Sequence, residues 1–147
     1  MVNIAIVGAG GFGREVKGLI DASNKLSPLY NFIGYYDDGV NTGDLINGFP
    51  CLGSIADLDE VKDELAVAIA IGDPSTKENV VKKINNPKVS FPNLIHPTAI
   101  ISDDYVSLGK GIIICAGTII TCNIIIEDFV ILNLLCTVGH DTEIGKF

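Results

Sequence analysis

Residues 95–147 read IHPTAIISDDYVSLGKGIIICAGTIITCNIIIEDFVILNLLCTVGHDTEIGKF. An aliphatic residue returns every six positions: Ile95 and Ile101, then, after a one-residue slip, Leu108, Ile114, Ile120, Ile126, Leu132, Val138 and Ile144. A helical face recurs every 3.6 residues and a free strand alternates with period two, so neither accounts for a sustained period of six. A hexapeptide repeat of this kind predicts a parallel β-helix. Three short strands make each triangular coil, the aliphatic residue fills the core at each face, and coils stack at about 4.8 Å. Within a unit the second residue is often Gly (Gly109, Gly139, Gly145), and the fifth is mostly small or β-branched (Thr118, Val130, Cys136, Thr142). The repeat gives about three coils and reaches Phe147 with no capping segment, whereas β-helices ordinarily cap their exposed strand edges. The expectation is an incomplete β-helix, the start of a longer domain truncated at its C-terminal end.

Upstream the grammar differs. Val2 to Val7 is a short apolar run ending at Gly8, as a buried parallel strand does. Val16, Leu19 and Ile20 place a helix over Gly13 to Ala22. Strands follow at Phe32–Tyr36, which ends in Asp37-Asp38-Gly39, and at Leu65–Ile71, with a Gly- and Asn-rich loop over Val40 to Gly48 between them. After Gly72, Asp73 is placed to cap a helix with Pro74 at its first position and Lys82 and Lys83 in its last turn. Asn86-Pro87 stops that helix, and Val89–Phe91 forms a last short strand. The order β-α-β-(α)-β-α-β predicts a small, mostly parallel sheet covered by helices, a Rossmann-like α/β domain. The domain boundaries read from this are 1–92 for the α/β part and 93–147 for the coils.

Composition narrows the function classes. The apolar fraction is 48% and mean hydropathy +0.41, yet no apolar run approaches the roughly 20 residues of a spanning helix. That content is therefore to be buried in protein, and no membrane partner is expected. A formal charge of −8 argues against nucleic acid, although backbone amides can still bind a phosphate locally. Cys51, Cys115, Cys122 and Cys136 form no CxxC pair and no metal spacing with His96 and His140, so no metal is expected. With no signal peptide preceding the first strand, the reading is of reduced thiols in a cytoplasmic protein.

Three stretches carry chemistry. Gly8, Gly10 and Gly13 match G-x-G-x-x-G between a strand and a helix, where glycines permit a tight turn and free amides at the helix start face a phosphate. Asp37 and Asp38, at the end of the second strand, can accept from a ribose or base, or form a solvated turn before Gly39. Lys77 could reach a diphosphate from the helix after Asp73, or be a surface lysine. Gly-His-Asp-Thr around His140 is either a hydrogen-bonded turn or a base. As third residue of its unit His140 falls near a corner of the prism, above Cys122. A neutral imidazole, with an ordinary pKa of about 6.5, suits removal of a proton from an attacking nucleophile. Asp141 beside it could hold the tautomer. His96, at the opening of the first coil, reads as structural.

Together, IVGAGGFGREV, the YYDD strand end, the AIG turn and LIHPTAIIS leading into hexapeptide repeats resemble the sialic-acid O-acetyltransferase-like sugar acyltransferases. That family includes NeuD-like enzymes and PglD-like N-acetyltransferases of nucleotide-linked amino sugars. The resemblance implies a left-handed β-helix, a homotrimer, and acetyl-CoA as co-substrate in a groove between neighbouring subunits. It further implies a nucleotide sugar, a UDP-sugar favoured, surrounded by Gly10, Gly11, Phe12, Gly13, Asp37, Asp38, Ile71, Gly72 and Asp73. His140 is implied as the catalytic base, with Asp141 orienting it and Asn133 lining the acceptor site. The reaction implied is acetyl transfer to an amino group or a sugar hydroxyl for surface glycan or polysaccharide synthesis. A catalytically silent nucleotide-sugar-binding module and, more remotely, a fragment of an NAD-dependent oxidoreductase are the alternatives.

Overall fold

A computed structural model describes residues Met1–Phe147. Its first part comprises β1 (Val2–Val7), α1 (Gly11–Leu26), β2 (Tyr30–Tyr36), β3 (Leu45–Ile46), β4 (Phe49–Gly53), a 3₁₀ turn (Ile55–Glu60), β5 (Leu65–Ile69), α2 (Pro74–Lys83) and β6 (Val89–Ser90). The strands form one sheet in the order β3-β4-β2-β1-β5-β6, parallel except for the β3–β4 hairpin. β1 is buried on both faces. Ile4 and Ile6 meet Val16, Leu19 and Ile20 of α1, while Ala5 and Val7 join Val80 of α2. This period of two is why an unbroken apolar run reads as a central parallel strand. The chain leaves β1 towards β2 on one side and later returns to β5 on the other, so the sheet's switch point lies at β1/β5. Ligands bind in open α/β sheets at such a point, beyond the strands' carboxyl ends.

The hairpin departs from the expected loop over residues 40–48. Asn47 and Gly48 carry φ of 49° and 86°, the left-handed pair that a two-residue hairpin turn requires. Phe49 then packs edge-on to Phe32 at 4.9 Å, which secures β4 beside β2. Other boundaries move as well: α1 extends beyond its apolar stripe at both ends, β2 begins at Tyr30, β5 stops at Ile69, leaving Ala70–Gly72 outside the strand, and β6 ends at Ser90.

Nine two- and three-residue strands follow, from β7 (Leu94–Ile95) to β15 (Glu143–Ile144), in three parallel three-stranded sheets. They make a left-handed parallel β-helix of three coils. Each aliphatic residue of the repeat lies in one of these strands, and Ile114, Ile120 and Ile126 are fully buried. Ile114 pairs with Leu132, eighteen residues on, but Ile95 pairs with Ile114, nineteen on. Leu108 already pairs with Ile126 at eighteen, so the slip is absorbed at the corner between Ile101 and Val106. A second period of six runs through the backbone: Tyr105, Gly111, Gly117, Asn123, Phe129, Leu135, Asp141 and Phe147 all have positive φ. One left-handed residue turns each corner from Tyr105 onward; the first corner, between Ile95 and Ile100, has none.

The two parts share core. Leu94, Ile113 and Cys115 of the coils pack with the buried face of α1, and Phe129 joins Leu58 and Val80 on the α2 side. Lys77 belongs to this seam. It is neither a surface lysine nor free to reach a diphosphate: it is buried, and Nζ donates to the Phe129 carbonyl at 2.8 Å. Burial pushes its pKa below the ordinary lysine value.

Candidate functional site

The four loop glycines divide by what surrounds them. Gly8 has φ of +98°, and a Cβ there would lie 2.8 Å from the Ala70 carbonyl; a Cβ at Gly13 would lie 1.9 Å from the Gly8 carbonyl. These two let the loop fold tightly over β1. At Gly10 and Gly11 an added Cβ meets nothing, so their side faces open space. Gly10 caps α1 with no side-chain partner for the helix's first amides. Free amides, glycine access and the helix dipole give this end the chemistry that suits an anion.

Asp37 braces the loop: Oδ2 accepts from Ala9 N at 2.7 Å and Oδ1 from Gly39 N at 2.8 Å. Asp38 Oδ1 accepts from Ile55 N at 2.8 Å, leaving its other oxygen without a protein partner. Both aspartates, Gly8 and Ile71 line a cleft of about 440 Å³ at the switch point, with Thr76, Asn79 and Lys83 of α2 opposite. Asp73 caps α2, accepting from Thr76 N at 2.8 Å, and hydrogen bonds from Thr76 hold its carboxyl below the usual carboxylate range. It stands outside that cleft wall.

On the α1 side, a cleft of about 430 Å³ is lined by Phe12, Glu15, Gly72, Ile131 and Asn133. Here the glycine loop, the turn after β5 and the coils converge. Asn133 Oδ1 accepts from Leu134 N at 2.7 Å, so its amide offers donors to the cleft.

His140 and Asp141 lie one corner further along the coil, between β14 (Thr137–Val138) and β15. His140 Nδ1 is 2.7 Å from Asp141 Oδ2, and Asn123 Nδ2 donates to Asp141 Oδ1 at 3.2 Å. The hydrogen bonds from His140 first, then from Asn123, hold the Asp141 carboxyl below its usual range. Asp141 is the left-handed corner residue, with φ of 57°, a conformation Asp tolerates better than most side chains. With Nδ1–H donating to Asp141, Nε2 is left as the basic nitrogen, on a side chain 77% exposed. His140 lines neither cleft, so within one chain the fold unites Phe12, Gly72 and Asn133 but leaves the histidine on a separate corner.

His96 Nδ1 accepts from Thr98 N at 3.1 Å and contacts Thr98 Oγ1 at 2.8 Å, and that hydroxyl oxygen accepts from Gly117 N. It thereby links the first coil corner to the second. Glu15, Thr76, Asn79 and Lys83 are cleft residues that the motif reading missed. Helical spacing held the signal: Glu15 lies three residues after Phe12, and Asn79 and Lys83 lie three and seven after Thr76, each set on one helix face. No three His, Cys, Asp or Glu side chains gather as a metal site. The four cysteines are free, and no helix is long and apolar enough to cross a membrane.

A Rossmann-like body with its glycine loop open to a switch-point cleft, fused to a hexapeptide-repeat β-helix, is the architecture of the nucleotide-sugar acyltransferases. Residues 3–84 match the PglD N-terminal domain, and the chain belongs to that family. It is 27% identical over 142 residues to GDP-perosamine N-acetyltransferase of Escherichia coli O157:H7, covering 97% of this chain and 64% of that protein. It is 30% identical over 120 residues to UDP-N-acetylbacillosamine N-acetyltransferase of Bacillus subtilis (strain 168), covering 79% and 52%. Among solved structures, PerB from Caulobacter crescentus, in complex with CoA and GDP-perosamine, superposes with a TM-score of 0.83 at 26% identity, covering 97% of this chain and 65% of PerB. The chain thus spans between about half and two thirds of the length of these relatives.

Proposed function

We propose that this protein is an acetyl-CoA-dependent transferase acting on the amino group of a nucleotide-linked sugar. The observation that carries the reading is the convergence of Phe12, Gly72 and Asn133 on one cleft directly beside an anion-binding helix start. A nucleoside in the switch-point cleft, with its diphosphate on the amides after Gly10, leaves the sugar lying towards Asn133. Two named relatives are N-acetyltransferases of nucleotide sugars, one GDP-linked and one UDP-linked, which supports amine over hydroxyl as acceptor. Uridine is favoured here. Guanine presents two adjacent donors, best met by a carboxylate with few other partners; Asp37 already accepts at both oxygens and Asp38 at one.

In the reaction, the sugar amine attacks the acetyl thioester carbonyl while His140 Nε2 takes its proton. The C–N bond forms, the C–S bond breaks, and CoA leaves as its thiol after protonation. Asp141 holds the imidazole in the Nδ1–H tautomer and stabilises the imidazolium that forms. Because His140 stands apart from the Asn133 cleft of its own chain, the site is to be completed between copies, as a homotrimer with acetyl-CoA along the coils at the subunit boundary. Division into domains 1–92 and 93–147 belongs to the same reading, as does a cytoplasmic role in glycan or polysaccharide synthesis.

The test is a thermal-shift panel with UDP, GDP, CMP, NAD and acetyl-CoA. A ligand at 100 times its dissociation constant stabilises by about 2.7 kcal/mol. Shifts with UDP and acetyl-CoA are expected. A shift with NAD alone overturns the proposal, and a monomer at the chain mass of 15.6 kDa counts against the shared site.

A further inference from the structure

The cleft holding Phe12, Gly72 and Asn133 contains one more polar side chain, Glu15, and the hydrogen bonding there gives it a distinct job. Phe12, Gly72 and Ile131 bring no polar side-chain atoms. Asn133 already accepts from Leu134 N at Oδ1, so it turns mainly N–H groups to the cleft. Glu15 is the cleft's only charged side chain and its strongest acceptor. It lies one turn into α1, exposed, and makes no ion pair and no hydrogen bond of 3.5 Å or less to oxygen or nitrogen. The buried Cys115 thiol lies beside it, and burial first and then Glu15 push that thiol's pKa up to about 12; it stays protonated and contributes no competing charge.

A sugar hydroxyl can be met by a donor or an acceptor. A protonated amine has only donors and a positive charge, and of these two side chains only Glu15 meets it with the opposite charge. On the far side of Glu15, Val16, Leu19, Cys115, Ala116 and Leu134 enclose an apolar pocket of about 140 Å³. A group reaching past the carboxylate meets hydrocarbon there, with the His96 ring the one polar side chain besides Glu15 and the thiol.

We infer that Glu15 is the specificity-determining residue for the acceptor: its carboxylate binds the ammonium of an amino sugar and so selects amine over hydroxyl substrates. This rests on the proposed function above, which supplies the sugar's presence in the cleft. Glu15 binds the acceptor in its charged form; the ammonium first loses one proton to solvent, and as the free amine attacks, its second proton passes to His140 and from there to the departing CoA thiolate.

The experiment measures binding by calorimetry of two free-amine probes, GDP-perosamine and UDP-N-acetylbacillosamine, against GDP, UDP, GDP-mannose and UDP-N-acetylglucosamine, which have no free amine. The wild-type chain is compared with Glu15→Gln and Glu15→Asp. Glu15→Gln is expected to weaken the preferred amine probe about tenfold or more, the value of a charge-assisted hydrogen bond. It should leave the amine-free nucleotide of the same base unchanged, and Glu15→Asp should recover part of the loss. Equal affinity of wild type and Glu15→Gln for the amine probe overturns the inference. So does a loss shared equally by amine and amine-free ligands, which would mark Glu15 as structural. If the wild-type chain binds none of the six, it is the proposed function that fails, a result distinct from either.

Discussion

In the α/β half each loop glycine has its own duty, whereas in the coils every sixth residue repeats the duty of the one before. Gly8 and Gly13 are held by backbone oxygens, while Gly10 and Gly11, two and three residues away, face open space. Ile114, Ile120 and Ile126 occupy equivalent core positions on three successive faces, each at most 1% exposed. The difference teaches how each half carries function. The sheet gathers unlike neighbours around a cleft at its switch point. The coils supply a uniform scaffold, and its polar variety stands at the corners, where His140 and Asp141 pair.

The largest effects should come from the uniform half. Ile114→Ala, Ile120→Ala and Ile126→Ala should each destabilise by about 2–5 kcal/mol, with values close to one another. Urea denaturation would show this; a wide spread among the three would break the equivalence of the faces. In the non-uniform half the expected pattern is the reverse. Gly13→Ala, with a backbone oxygen in its way, should cost about 3 kcal/mol or more. Gly11→Ala should change stability by less than about 1 kcal/mol, on the stabilising side. Gly11→Val should keep the fold yet lose most of the nucleotide-induced thermal shift, because it fills the open approach. A Gly11→Val chain that retains the full shift would place the phosphate elsewhere.

The smallest effect tests the seam. The folded-state pKa of Lys77 lies below its unfolded value of 10.5, so the unfolded chain holds the proton more firmly. Stability from this group is therefore diminished below the folded value and rises with pH through the window that ends at 10.5. Lys77→Met lacks this dependence. The stability difference, wild type minus variant, should grow in favour of wild type as pH is raised towards 10.5. A difference that does not vary with pH would mean Lys77 is solvated and does not bridge to Phe129.

Legibility in the sequence follows the same division. The repeat was readable because each aliphatic residue fills a core position and period six has no competitor among helices and strands. Even the one-residue slip between Ile101 and Leu108 corresponds to a nineteen-residue register in the first coil. The left-handed corners were harder to see, because Phe129, Leu135 and Tyr105 occupy conformations usually marked by Gly, Asn or Asp. In the sheet half, the β3–β4 hairpin hid behind polar composition although Asn47-Gly48 is a turn signal, because Leu45–Ile46 is too short to show alternation. Lys77 was misread because a lysine's charge says nothing of a partner fifty-two residues away. Glu15 escaped because the motif ends at Gly13, while the cleft continues for another turn of helix.

The most direct measurement of the central claim is acetyl transfer itself: free CoA thiol and N-acetylated sugar followed together, with acetyl-CoA and UDP-N-acetylbacillosamine or GDP-perosamine as acceptors, for wild type and His140→Ala. The account predicts one thiol released per sugar acetylated by wild type, and a loss of about 10²–10⁴ in rate for His140→Ala, the range of a missing general base. Unchanged transfer by His140→Ala, or binding of both substrates by wild type without any transfer, would contradict it.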